Sequence, residues 1–365
     1  MTTARRGGPR SRRQAPAKAP TIFDVAAAAG VSKSTVSNVV RGAEQVADGT
    51  RERVLEAIER LNYKPNAIAR HFVQQRTTIL GVLVGDLSNP YYAHMAQVVE
   101  RAAFGFGYAT MFCNIEGAEE IAVAGVDALL EHRVAGIVFL AFITRTPQLG
   151  DALQRAGAPI VFLGLSEQWG DSVGPRDTQG GRVATEHLLE LGHRRIAYVR
   201  TPLVEHSGDR ARHAGYRSAM RAAGAPTVPT YTWSPGADSL RVGREQVSLE
   251  QALSGRGGPT AVFVSNDIGA ISLMDACEAR GIAVPDDLSV VGFDDIAIAA
   301  LHRISLTTVA QQLDFQAERA VGLLLERIQN PAIESRHVRV PVTLRDRDST
   351  APARSGASGK ARRAH

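Results

Sequence analysis

The sequence predicts an N-terminal all-α helix-turn-helix domain followed by an α/β body made of two parallel-sheet lobes. Three observations predict this. Residues 21–61 place apolar side chains at three- and four-residue spacing, interrupted by a glycine. From about residue 77, apolar runs of strand length alternate with amphipathic helical stretches, as in a parallel sheet covered by helices on both faces. The alternation lasts for about 270 residues, long for one sheet and comfortable for two.

In the first segment, Thr21 and Asp24 have the spacing of a capping box, and Ile22, Val25, Ala26 and Ala29 then line one helical face. Gly30 ends that helix and permits a tight turn, after which Ser32 caps the next. In the second helix Val36, Val39 and Val40 point inward, while Lys33, Ser34, Ser37, Asn38 and Arg41 form a polar, basic face. Asp48 opens a third helix held in by Val54, Leu55, Ile58 and Leu61. A unit of this kind lays its second helix in the major groove of double-stranded DNA, where short polar side chains reach base edges. The strand-like runs that follow are residues 79–84, 108–113, 136–141, 159–163, 195–199, 261–264 and 288–293. Residues 1–20, a basic arm, and 351–365, a tail, have little to bury and are expected to be disordered.

Charge is divided unevenly. Residues 1–76 carry 14 Lys/Arg against 6 Asp/Glu, whereas residues 77–350 carry 24 against 31, so only the head is suited to a polyanion. With 44% hydrophobic and 22% charged residues the composition is that of a soluble globular protein. No run approaches the ~18 apolar residues of a membrane span. The basic N-terminus lacks the apolar stretch of a secretory signal, so a cytoplasmic location is expected. Cys113 and Cys277 are far apart without metal-ligand spacing and read as small buried side chains in a reducing compartment. No metal site or cofactor is predicted. The phosphate loop, the paired-histidine zinc helix and the nucleophile elbow are all missing. Gly105 and Gly107 follow a helical stretch rather than a strand, which argues against a dinucleotide fingerprint. Asp294 and Asp295 could mimic an acid/base pair, but adjacent carboxylates at a strand end are more often loop and ligand residues. An enzyme is therefore not expected.

Residues 21–40 (TIFDVAAAAGVSKSTVSNVV), continuing through Thr50 to Val54 and through 63–70 (YKPNAIAR), resemble the N-terminal signature of the lactose/galactose repressor (LacI) family. The resemblance implies that Lys33, Ser34 and Asn38 read bases and that Thr35 and Ser37 contact phosphates. Arg41 stands where the family usually has Asn and adds a further phosphate contact. Residues 65–73 resemble the family's hinge helix, which folds on the operator and wedges a side chain into the minor groove. The implied hinge residues are Asn66, Ala69, Arg70 and Phe72, with Phe72 at the family's leucine position; a phenylalanine can also unstack a base step. The alternative for Phe72 is packing on its own domain.

Residues 77–350 resemble the type I periplasmic-binding-protein fold that the same family uses. The segments that carry the likeness are 86–92 (DLSNPYY), 184–197 (ATEHLLELGHRRIA), 265–267 (SND), 289–295 (SVVGFDD) and 306–309 (LTTV). The implied lobes are residues 77–175 with 305–334, and residues 176–304 with 335–350. The implied effector residues, at the carboxyl ends of strands between the lobes, are Tyr91, Tyr92, Asp177, Arg212, Trp233, Asn266 and Asp294. An Asp and an Arg facing one ligand suit hydroxyl-rich or amide-bearing molecules, a sugar above all. Helix packing is the alternative for the two tyrosines, and an exposed surface position for Arg212. Asp177 is followed by Thr178 where the family has Asn. The expected partners are a palindromic operator, a small-molecule effector and a second copy of the chain, with no membrane. A secreted sugar-binding protein would have the body without the reading head, and an oxidoreductase would need the glycine motif that is missing here.

Overall fold

The computed structural model describes residues 20–40, 45–61, 77–141, 146–164, 170–201, 207–254 and 257–354. The basic arm, Arg41 and the hinge residues Asn66, Ala69, Arg70 and Phe72 lie outside them. The chain divides into two compact units, Met1–Thr77 and Thr78–His365.

The first unit contains α1 (Ile22–Ala29), α2 (Lys33–Val40) and α3 (Asp48–Arg60). The Thr21 N–H and hydroxyl both donate to the Asp24 carboxylate at 2.7 Å, closing the start of α1. Gly30 adopts φ 66° and Val31 N–H returns to the Ala26 carbonyl, a left-handed C-terminal cap. Ser32 Oγ then accepts from Thr35 N–H and opens α2. Val25, Val36 and Val54, one from each helix, are fully buried and form the centre of a small core. Leu55, expected inside, is 51% exposed: the buried stripe of α3 runs through 54, 57, 58 and 61, and position 55 falls off it.

In the second unit, the first lobe is a six-stranded all-parallel sheet. Its strands are β1 (Ile79–Val84), β2 (Ala109–Asn114), β3 (Gly136–Leu140), β4 (Ile160–Leu163), β5 (Asp171–Pro175) and β13 (His337–Val340), in the order β13-β5-β4-β3-β1-β2. Helix α4 (Pro90–Gly105) and the returning α10 (Leu313–Gln329) pack on each other and on this sheet. Apolar side chains of α5 (Glu119–Glu131) and α6 (Pro147–Arg155) join Leu83, Ile137, Phe139 and Phe162 in a separate cluster. Asp171, with no exposed surface, accepts from Arg327 of α10 at 2.7 Å and from Arg336 N–H at 2.8 Å, which fastens α10 and β13 to this lobe.

The second lobe is an eight-stranded sheet in the order β14-β12-β11-β10-β6-β7-β8-β9. Its parallel centre is β6 (Ile196–Arg200), β7 (Tyr231–Thr232), β10 (Ala261–Val264), β11 (Ser289–Asp294) and β12 (Thr307–Ala310). Antiparallel strands β8 (Ser239–Val242), β9 (Glu245–Ser248) and β14 (Thr343–Arg345) extend it at the edges. The sequence predicts no strand at β5, β7–β9 or β12–β14, because these are short and carry few apolar residues. Helices α7 (Asp177–Glu190) and α8 (Ser207–Ala222) meet the sheet face carrying Tyr198, Phe263 and Phe293, while α9 (Asp267–Glu278) shares a core with the alternate residues Val199, Val262 and Val290.

Two expected boundaries are corrected by the strand pairing. β12, assigned to the first lobe, extends the second sheet beside β11, with Thr307 in register with Val291. β13, assigned to the second lobe, pairs with β5 of the first, with Val338 opposite Val173. The chain thus crosses between lobes after β5, after β12 and after β13. These crossings are tied together: Arg176 N–H donates to Val340 O, and the Gln312 amide to Pro341 O. The tail also begins later than expected. Ala351 N–H donates to Ser289 Oγ and Ala353 N–H to Leu191 O, so residues 351–354 belong to the second lobe.

Candidate functional site

In the head, α2 presents Lys33 and Ser34 exposed and Thr35, Ser37 and Asn38 half-buried, with Val36 and Val39 turned into the core. The hydroxyls of Ser34 and Thr35 both meet Ser32 Oγ, at 2.7 and 2.8 Å. The Lys33 ammonium lies 5.1 Å from the Phe23 ring, itself 63% exposed. The predicted reading residues therefore share one helix surface, all with donors or acceptors.

In the body, the predicted effector residues come from strand ends and helix starts of both lobes. Pro90 opens α4, and Asn89 Oδ1 accepts Tyr91 N–H at 3.0 Å, which sets the two tyrosines in the first turn of the helix that follows β1. Their rings meet edge to face at 5.2 Å, and Tyr92 covers Gly85 so closely that a Cβ there would lie 2.7 Å from the phenol. Burial, then the charge of Asp294, raises the Tyr91 phenol above its ordinary pKa, so the first-lobe tyrosine lies within electrostatic reach of the second-lobe carboxylate.

Arg212 is 4% exposed and is held through Nε, one terminal nitrogen and the face of its guanidinium. Nε donates to Asp177 at 2.8 Å, one terminal nitrogen donates to the Ser265 carbonyl at 2.6 Å, and the guanidinium lies 3.6 Å from the Phe293 ring centroid. Burial raises the Asp177 carboxyl against the opposing pull of Arg212. Burial also holds the Asp294 carboxyl well above the usual range, opposed by Arg212 and reinforced by Asp267. Asn266 is committed locally: its oxygen caps α9 through Gly269 N–H at 2.8 Å and its amide donates to Thr201 at 2.7 Å. Trp233 is fully enclosed in the lobe core, and its indole N–H has no partner among the described residues.

The structure thus pairs Tyr91 with Tyr92 and brings Asp177 to Arg212 beside Phe293 and Asp294. Asn266 sits beside the Ser265 carbonyl that Arg212 holds, and Trp233 is in the core. A cavity of about 410 Å³ opens beside the group, lined by Arg176, Asp177, Thr178, Gln179 and Arg339 among others. Sequence reasoning missed Gln311, whose amide nitrogen donates to Asp294 and whose buried oxygen has no partner among the described residues. The signal was available: Gln311 directly follows β12, just as Asn266 closely follows β10 and Asp294 ends β11.

A three-helix reading head joined to a two-lobed body with a buried polar cluster at its strand ends defines a DNA-binding transcription regulator. The model for bacterial regulatory proteins of the lacI family matches residues 21–66, and that for the periplasmic binding protein-like domain matches residues 185–350. The ribose operon repressor of Escherichia coli K12 is 34% identical over 337 residues, covering 90% of this chain and 99% of that one. The chain belongs to the lacI family. The crystal structure of the lac repressor dimer bound to operator and the anti-inducer ONPF is 29% identical, with a TM-score of 0.75, covering 92% of this chain and all of that one. A LacI family regulator from Enterococcus faecium with bound ribose is also 29% identical, with a TM-score of 0.63 over 76% of this chain and all of that one. Among the described residues no helix is long and apolar enough to cross a membrane.

Proposed function

We propose that the protein is a cytoplasmic repressor without catalytic activity, which binds a palindromic operator as a homodimer and is controlled by a sugar or related metabolite held between its lobes. The observation that carries this reading is the buried polar group at the strand ends of a body attached to a helix-turn-helix, where Arg212 holds Asp177 and lies over Phe293 while Gln311 holds the neighbouring Asp294. The ribose operon repressor and the ribose-bound regulator among its relatives support a sugar-class effector. Arg212, Asp294 and Gln311 hydrogen-bond ligand hydroxyls, Tyr91 and Tyr92 lie against its ring, and Asp177 holds Arg212. Asn266 contributes with its remaining amide N–H, whereas Trp233, enclosed in the lobe core, makes no ligand contact.

In the head, Lys33, Ser34 and Asn38 read bases, Thr35, Ser37 and Arg41 contact phosphates, and Asn66, Ala69, Arg70 and Phe72 form the minor-groove hinge. A two-fold site doubles the few base pairs that one reading helix covers. The second copy has a candidate seat. β2 is an edge strand without one fully buried residue, and Phe104 and Phe106 beside it in sequence are 75% and 63% exposed. Footprinting across the DNA next to its own gene, with and without D-ribose and other pentoses, tests the reading. A protected two-fold site whose affinity changes with one sugar supports it, and no protected site overturns it. In the same assay Asn38→Ala should change which bases are preferred rather than weaken all sites equally.

A further inference from the structure

The Asp267 carboxylate is fully buried at the first turn of α9 and makes none of the effector contacts proposed above. It accepts from the Thr308 hydroxyl of β12 and from Ile296 N–H at 3.0 Å. Gly292 of β11 makes room for it, since a Cβ at that position would collide with Asp267 Oδ1. Three segments meet on this one side chain. The first begins at Asn266, the second is the turn after Asp294, and the third is β12, three residues before Gln311.

That turn needs an external hold. Asp294 has φ 131° and Asp295 φ 59°, conformations that residues with a Cβ keep only when their surroundings impose them. Asp295 is gripped from the outer side by Arg347 at 2.6 Å. Asp267 is the inner hold, because Ile296 N–H and Thr308 Oγ1 are fixed by the same carboxylate. Both ends of the Asp294–Gln311 hydrogen bond therefore hang from segments that Asp267 ties together.

We infer that Asp267 is a positioning residue of the effector site: it fixes Asp294, Gln311 and Asn266 relative to one another without touching the ligand. The inference rests on the cleft reading only for its consequence in binding, and the two can fail separately.

Crystal structures of full-length Asp267→Asn and Thr308→Val test the positioning role without any ligand, with Ser289→Ala as a control because its buried hydroxyl, at the far end of β11, pairs with His193 and Ala351 rather than with the turn. In the first two variants Asp294 should leave φ 131° and the Asp294–Gln311 hydrogen bond should be lost, while the control keeps both. Should Asp267→Asn fail to fold, Thr308→Val decides. A turn and an Asp294–Gln311 bond left unchanged in the folded variants overturn the inference, and so does the same displacement in the control. Calorimetric titration with D-ribose as the probe reads the consequence. A displaced turn with at least tenfold weaker ribose binding supports both statements. A displaced turn with unaltered ribose binding keeps the positioning role and overturns the cleft reading. If the wild-type protein does not bind ribose, the sugar assignment fails and the crystal structures still decide the role of Asp267.

Discussion

Arg212 can be engaged three ways at once because a guanidinium is both a planar fork and a flat cation. One nitrogen meets Asp177, another meets the Ser265 carbonyl, and the plane covers Phe293. A lysine offers a point charge and no plane. Arg212→Lys should therefore weaken effector binding at least tenfold and lower the melting temperature, both measurable by titration calorimetry and thermal unfolding. A second residue-scale prediction concerns pH. Burial pushes Asp267 up to about 6 although hydrogen bonds from Thr308 and Ile296 oppose the shift. The native carboxyl thus binds a proton more tightly than an unfolded one near pH 4. This group's contribution to stability is fully present below the unfolded pKa and is lost as pH rises through about 6. Histidines 187, 193 and 213, lowered chiefly by burial, act in the opposite direction, so the difference between proteins is the informative quantity. Between pH 7.5 and 4.5, wild type should gain stability relative to Asp267→Asn, and parallel urea midpoints over that range would contradict the argument.

Two glycines decide how closely α7 and α8 cross. A Cβ at Gly181 would collide with the Arg212 carbonyl, and one at Gly215 with the Thr178 carbonyl. The backbones therefore touch at the level where Asp177 meets Arg212, and the ion pair follows from the crossing. Gly215→Ala must push the helices apart, at a cost of about 1–3 kcal/mol for an overpacked contact. It should lower the melting temperature and weaken effector binding together, although residue 215 makes no proposed ligand contact. A variant that melts early yet binds the effector normally would show that the crossing does not set the site.

At the scale of the whole molecule, two predictions concern how the parts communicate. If copies join through the β2 edge, Phe104→Asp combined with Phe106→Asp should convert a dimer to a monomer in light scattering and weaken operator binding, with the melting transition retained. An unchanged dimer would place the interface elsewhere. The second prediction is the switch. On the proposed function, effector binding in the body and operator binding by the head bias one shared equilibrium. Coupling of this kind is typically ~1–3 kcal/mol, a five- to 150-fold change in affinity. Asp294→Ala should leave operator binding by the effector-free protein near normal and abolish the response to effector. A normal response at the normal effector concentration would exclude this cleft as the sensing site.

The sequence by itself determined the trihelical head, the alternation of strands and helices, and most of the polar cluster. Local chemistry specifies these: Thr21 with Asp24 and Gly30 set the limits of α1, and apolar runs such as 79–84 and 261–264 are buried on both faces wherever they pair. Only the tertiary structure decided what depends on partners distant in sequence. It sent β12 to the second sheet and β13 to the first, because strand partners are chosen by open sheet edges rather than by the strand's own residues. It added β7, β8 and β9, short polar sequences that become strands in succession outward from β6. It exposed Leu55, buried Trp233, and brought in Gln311 and Asp267, two residues whose importance lies in the side chains that reach them. A helix cap is written in neighbouring residues, but the company a buried carboxylate keeps is fixed only when segments 29 and 41 residues apart fold around it.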